Sequence, residues 1–178
     1  GQAPQAGTLS SSVVIEKSGE KIGVVGATTP GLPFLTSAGG VITTPTAQSQ
    51  ALTDAQLEET AAIIQAEVDS LLVANPDVNK VILISHMQVF DYEVQLAELL
   101  SNVDIIVAGG SEPVQVDSDD VLRPGDAPNV EYPVWRTNAG GTETAIVTEA
   151  GDYDYLGRLV IEFDDAGNIL RDTYDTAN

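Results

Sequence analysis

The chain contains one histidine, His86, and no cysteine, so imidazole or metal-donor nitrogen chemistry has a single place to occur. His86 closes the apolar run Val81-Ile82-Leu83-Ile84-Ser85, and a second apolar run, residues 104–108, ends in Gly109-Gly110-Ser111-Glu112. Ligands in open α/β sheets bind beyond the carboxyl ends of the strands. If both runs are neighbouring strands, an imidazole and a glycine pair meet at that edge. A lone histidine there can be a metal ligand, a general base or a hydrogen-bonded loop residue. Imidazole is the commonest metal ligand, and a glycine pair lets backbone and ion approach closely. The acidic cluster Asp117-Ser118-Asp119-Asp120, followed by the turn Pro124-Gly125-Asp126, is a second group of oxygen donors. Its spacing lacks the alternation around a central glycine of a helix-flanked calcium loop, which predicts an unliganded acidic turn. A calcium-stabilised surface using Asp117, Asp119 and Asp120 is the competing reading.

The elements that position His86 follow from periodicity. Residues 81–84 are a short, continuous, β-branched apolar run of the kind that a strand buried on both faces requires, and residues 104–108 repeat it. Between them Asp91 is placed to cap a helix over 92–100, whose apolar positions Val94, Leu96, Ala97, Leu99 and Leu100 would lie on the sheet in a right-handed crossover. Upstream, residues 12–17 and 21–27 read as a hairpin joined by Ser18-Gly19-Glu20. Residues 28–50, rich in Thr, Ser, Gly and Pro and without helical period, read as a long loop. Thr53 with Gln56 forms a capping box for a helix over 54–74, with Leu57, Ala61, Ile64, Val68 and Leu71 at helical spacing. Downstream, strands are expected at 132–137, 144–148, 156–163 and 169–173, with short connections that imply antiparallel neighbours. The expected architecture is a single α/β domain of mixed β-sheets with flanking helices. Strands 21–27, 81–85 and 104–108 form its core, both helices lie on one face, and the last third makes a largely antiparallel second sheet.

Composition narrows the partners. With 178 residues, 43% hydrophobic and 19% charged, the chain reads as globular. Seven basic against 27 acidic residues give a formal net charge of −20, which repels phosphate backbones and anionic membrane surfaces alike. Nucleic acid and membrane are therefore not expected partners. An acidic, lysine-poor surface suits a secreted or periplasmic protein, or one working in salt, where screening shortens its self-repulsion; export is the expectation. No apolar run approaches the roughly 20 residues that span a bilayer. The sole methionine is Met87 and the chain opens Gly1-Gln2-Ala3-Pro4, so further sequence is expected before Gly1.

The succession KIGVVGATTP, VILISH followed by a helix, VDIIVAGG, and TAIVTEAGDYDYLGRLVIEFDDAGNI resembles the C-terminal half of the catalytic domain of 5'-nucleotidase-type calcineurin-like metallophosphoesterases. The likeness is strongest to the secreted bacterial atypical alkaline phosphatases, with LRPGD at 122–126 and Tyr132-Pro133 in the matching order. The resemblance implies half of a metallophosphoesterase-type αββα sandwich, two divalent metal ions in the complete enzyme, and a phosphomonoester or nucleotide substrate. The ions of such an enzyme clamp the phosphoryl oxygens and activate a water. His86 falls on a metal ligand of the family. The next family ligand, a histidine after the glycine pair, is Ser111 here, and the position two beyond is Pro113; Ser111 and Glu112 are the available oxygen donors. The family's earlier ligand motifs are absent, as expected of a chain without the N-terminal half, and the fragment alone is expected to be inactive. Tyr153, Asp154, Tyr155 and Asn138 lie in segments that flank the family's site, with core packing the first reading for the tyrosines. A missing half would also leave an exposed apolar patch or drive self-association. The alternative is a non-catalytic binding or structural module on a phosphoesterase scaffold that has lost its metal ligands.

Overall fold

The apolar runs assemble into one mixed sheet. In the computed structural model, which describes residues 9–111, 113–118, 120–151 and 153–171, β1 (Ser12–Lys17) and β2 (Glu20–Thr28) form the antiparallel hairpin. After a one-turn helix α1 (Leu32–Leu35) and the long helix α2 (Asp54–Ala74), β3 (Val81–His86) pairs parallel to β2. Helix α3 (Phe90–Leu99) then crosses to β4 (Ile105–Val107), parallel to β3. Two short strands, β5 (Gln115–Val116) and β6 (Val130–Glu131), pair with each other in parallel. The chain returns through β7 (Val134–Thr137) to β8 (Glu143–Val147), which lies parallel to β4 and antiparallel to β7. The sheet order is β1-β2-β3-β4-β8-β7.

Helix α2 begins where its capping box puts it. Thr53 Oγ1 accepts from Gln56 N at 3.3 Å and Gln56 Oε1 accepts from Thr53 N at 3.0 Å, while Leu57, Ala61, Ile64, Val68 and Leu71 are buried. Thr53→Ala should cost about 1 kcal/mol, read as a lower urea midpoint at unchanged slope. Helix α3 corrects one expectation. It starts at Phe90 with Val89 at the N-cap, and no side chain caps it; Asp91 sits inside the first turn. Gln88, at φ +70°, has already turned the chain after β3, so the helix begins before Asp91 can serve as its cap.

The two sheet faces differ. Val25, Leu83, Ile106 and Ile146 stand in register across β2, β3, β4 and β8 and are sealed beneath α2 and α3. The alternate rows, Val13-Val24-Ile82-Ile105-Ala145 and Gly26-Ile84-Val107-Val147, face the other way. There Ile84 is 52% and Val107 40% exposed while Ile82 and Ile105 are half-buried, so β3 and β4 are fully covered on one face only, against the expectation of burial on both. Tyr155, Leu156 and Leu159 line a groove of about 510 Å³ with Ile82, Ile105 and Val107 on this second face.

The last third differs most. Residues 132–137 do not form one strand, because Pro133 has no N–H to continue a ladder; Val130–Glu131 and Val134–Thr137 belong to different sheets. The expected second antiparallel sheet is absent from the described residues. β7 and β8 extend the main sheet instead, where Asp104 O accepts from Ala145 N at 2.9 Å. Residues 156–163 make no named strand; the Phe163–Ile169 bridge is antiparallel. Their alternation is satisfied by laying Leu159 on the uncovered sheet face rather than by a ladder. The expected strand 169–173 runs partly outside the described residues.

Candidate functional site at the carboxyl edge

His86 is the last residue of β3, opposite Thr28 of β2, and its carbonyl accepts from Thr29 N at 3.0 Å. Strand alternation turns Ser85 and Met87 into the core and sets His86 on the same side as Ile82 and Ile84, the uncovered one. The imidazole is exposed at the carboxyl edge, beside Gly109 and Gly110 at the end of β4.

The glycine pair makes this approach feasible. A Cβ on Gly109 would lie 2.8 Å from Ser85 O and 3.1 Å from His86 Nδ1. On Gly110, at φ +82°, it would lie 2.7 Å from His86 Nε2 and closer still to Gln88 Nε2. Both side chains therefore rest on bare backbone. His86 Nε2 does not face open space: Gln88 Nε2 is 2.6 Å away. Gln88 N in turn donates to Gly109 O at 3.4 Å.

Beneath the turn lies Glu93, fully buried in the first turn of α3. Its Oε1 accepts from Ser85 Oγ and Met87 N, both at 3.0 Å, so one carboxylate fastens the residues on either side of His86. Among the described residues Oε2 has no partner. Burial pushes this acid up to about 7, against the downward pull of the Met87 and Ser85 bonds. Sequence reasoning passed over Glu93 and Gln88. The signal for Glu93 was present: positions 93, 96, 97 and 100 form the buried stripe of this segment, and a carboxylate heads it.

The other candidates fall as follows. Ser111 directly follows the glycine pair; its Oγ is buried and without a partner among the described residues. Glu112 and Asp119 lie outside the described residues. Asp120 accepts from Asp117 N at 2.8 Å, a carboxylate closing its own turn. Tyr153 is wholly exposed at φ +61° and so is not a core residue. Tyr155 is a clasp rather than core packing: its hydroxyl accepts from Arg123 N at 2.9 Å and donates to Asp126, while Arg123 also pairs with Asp126 and Asp154. Asn138 sits at the opposite, amino edge of the sheet, in the turn between β7 and β8. Among the described residues no three His, Asp or Glu side chains converge to hold a metal ion. The described residues do not make a two-ion centre; at this edge they present one exposed imidazole, His86.

The fold and edge together define an α/β scaffold that presents one imidazole and a glycine pair at its strand ends and, among the described residues, leaves one apolar face partly open. No protein-family model matches the chain. It is 31% identical over 165 residues to a 5'-nucleotidase of Mus musculus, covering 93% of this chain and 26% of that protein. It is 30% identical over 157 residues to a 5'-nucleotidase of Homo sapiens, covering 88% and 24%. The 5'-nucleotidase precursor from Thermus thermophilus superposes with a TM-score of 0.73 at 25% identity, over 96% of this chain and 29% of that one. The NAD nucleotidase of Haemophilus influenzae shares the fold, with a TM-score of 0.63 at 19% identity over 94% and 26%. The chain is a relative of the 5'-nucleotidases along nearly its whole length, and it spans about a quarter of the length of the curated relatives it matches.

Proposed function

We propose that this chain is one part of a metal-dependent phosphoester hydrolase of 5'-nucleotidase or alkaline phosphatase type, to which it contributes His86 as a metal donor at the carboxyl edge. The observation that carries the reading is that similarity to 5'-nucleotidases runs through the whole α/β scaffold, with the sole imidazole exposed at its ligand-presenting edge. In this reading residues 1–178 are the later portion of one catalytic domain. The earlier portion covers Ile82, Ile84 and Val107 and supplies the remaining ligands, with Ser111 and Glu112 as the oxygen donors of this chain. The substrate is a nucleotide or another phosphomonoester, and the setting is extracellular or periplasmic. Among the described residues no helix is long and apolar enough to cross a membrane. Without its covering layer the open face favours self-association.

The competing reading is a binding or structural module, and the engagement of His86 Nε2 by Gln88 favours it. Hydrolysis assays separate the two. The chain alone should not hydrolyse a nucleoside monophosphate or p-nitrophenyl phosphate with added manganese, zinc or calcium. In the longer protein, His86→Ala should lower metal affinity and turnover together by about a hundredfold, since loss of a mere partner of a metal ligand already costs roughly ten- to a hundredfold. Tyr153→Phe should change little. Metal-dependent turnover by the chain alone, abolished by His86→Ala, would show that it holds more ligands than proposed. Undiminished turnover of His86→Ala in the longer protein would remove His86 from the site.

A further inference from the structure

The groove on the second sheet face has an apolar floor and one charged wall. Ile105, Val107 and Val147 form the floor, Leu156 and Leu159 the rim, and Glu149, just beyond the end of β8, stands among them. The Glu149 carboxylate is half-buried and lies against the backbone of Gly157, where an added Cβ would overlap Oε1. A carboxylate drawn out of water needs a cation to offset the loss. Among the described residues no Lys or Arg pairs with it. Burial first, and the Asp120 carboxylate second, hold its acid above the ordinary carboxylate range. Burial and then the charges of Glu149, Asp120 and Asp117 push the hydroxyl of Tyr132, in the same groove, up to about 12, so the potential at this end is negative.

The chain has no cation to spare for this place. All seven of its Lys and Arg residues lie within the described segments. Five are held by other carboxylates: Lys21 by Asp77, Lys80 by Glu20, Arg123 by Asp126 and Asp154, Arg136 by Glu98, and Arg171 by Glu143. Lys17 lies on β1, with β2, β3 and β4 between it and β8. Arg158, adjacent to Gly157, is exposed and exerts no pull on the Glu149 charge.

We propose that this groove receives an apolar segment of the covering layer that carries one lysine or arginine, whose charged head pairs with Glu149 while its stem lies on the apolar floor. The inference rests on the reading in which an earlier portion of the polypeptide covers this face, and it names the chemistry by which that portion is recognised. The chain spans about a quarter of the length of its relatives, so most of their polypeptide lies outside the matched scaffold and is available to cover it. Lysine and arginine suit the groove because each buries an apolar stem while presenting a charge at its tip. A charge pair at one end of an otherwise apolar contact also fixes its register. A second copy fits less well, because it brings the same committed cations and the same net charge of −20 to a negative groove.

The probe is n-pentylammonium, a lysine side chain ended at its Cα carbon, and 1-pentanol is its neutral counterpart. Methyl signals of Ile105, Val107 and Val147 are followed by NMR at about pH 8 in about 0.15 M salt, which screens long-range attraction to the acidic surface. In the chain of residues 1–178, pentylammonium should half-saturate these signals at about fivefold lower concentration than pentanol. Glu149→Gln, which keeps the shape and loses the charge, should erase the difference. Gly157→Ala, which keeps the charge but displaces the carboxylate, should at least halve it, and amide dispersion verifies that both variants are folded. Equal binding of the two probes to the wild-type chain, or a preference undiminished in either variant, would overturn the proposal. Shifts at Glu58 and Glu59, on the solvent face of α2, as large as those in the groove would overturn it too, by making the cation's binding unselective. In the longer protein the covering layer already fills the groove, so pentylammonium should leave the three methyl signals unmoved; an undiminished response there would overturn the proposed occupant. None of these readouts involves His86, so turnover of His86→Ala decides the catalytic reading separately.

Discussion

At pH 8, Glu93→Gln should be more stable than the wild-type chain by about 3 kcal/mol, and at pH 4.5 or below the two should differ little. Glu93 is buried without a counter-charge, and its acid is raised from the ordinary 4.5 to about 7. Below 4.5 both the folded and unfolded chains hold the proton and the site is neutral. As pH rises from 4.5 to 7 the unfolded chain releases the proton while the folded chain retains it, so stability falls across that window and stays low above it. Glutamine keeps an oxygen to accept from Ser85 Oγ and Met87 N and never ionises. Asp104 adds a slope of the same sign between its ordinary 3.8 and about 6, because burial outweighs its bond from Val81 N and the nearby charge of Lys80. The wild-type chain should therefore be more stable at pH 5 than at pH 8, and Glu93→Gln should retain the Asp104 share of that slope. Urea unfolding at several pH values gives both curves; superimposable profiles would show that Glu93 does not titrate in this range.

Asn138→Ala should destabilise the chain by about 3 kcal/mol without disturbing the His86 edge. The buried Asn138 side chain accepts from Gly140 N at 3.0 Å and Thr142 N at 3.1 Å, and donates to Thr142 Oγ1 at 2.8 Å, Thr144 Oγ1 at 3.2 Å and Val103 O at 3.5 Å. Alanine strands two backbone N–H groups and unlinks the β7–β8 turn from the end of the segment after α3. Asn138→Asp, which keeps the acceptors and loses the donors, should fall between. Chemical denaturation measures the loss, and unchanged imidazole signals of His86 would confirm that the two edges are independent. A neutral Asn138→Ala would mean the network is dispensable.

These two residues show where sequence reading works and where it stops. The strand runs ending at His86 and Gly109-Gly110, the capping box of α2 and the parallel pairing of β3 with β4 were legible, because β-branched runs and capping chemistry are local signals. Which face of β3 is covered was not: an apolar strand reads alike whether its second side is sealed within the chain or left open. Glu93 was hidden because a helix face is read from its apolar members, and Gln88 because a left-handed glutamine carries no sequence mark. Residues 156–163 alternate like a strand, yet alternation specifies sides and not hydrogen-bond partners. Asn138 was noticed by analogy with a site; its environment makes it a turn-binding residue of the far edge.

The period of two in β3 has a thermodynamic corollary. Ile82, Ile84 and His86 share one side of the strand, so any layer laid on the two isoleucines also encloses the space before the imidazole. Joined to this chain by a short flexible connection, such a layer would meet it at an effective concentration in the millimolar range, and drying the apolar rows and enclosing the imidazole would become one intramolecular event. Supplied as a separate polypeptide at micromolar dose, the same layer would leave most copies bare, so the tether itself would contribute to the affinity of the edge for its ligands.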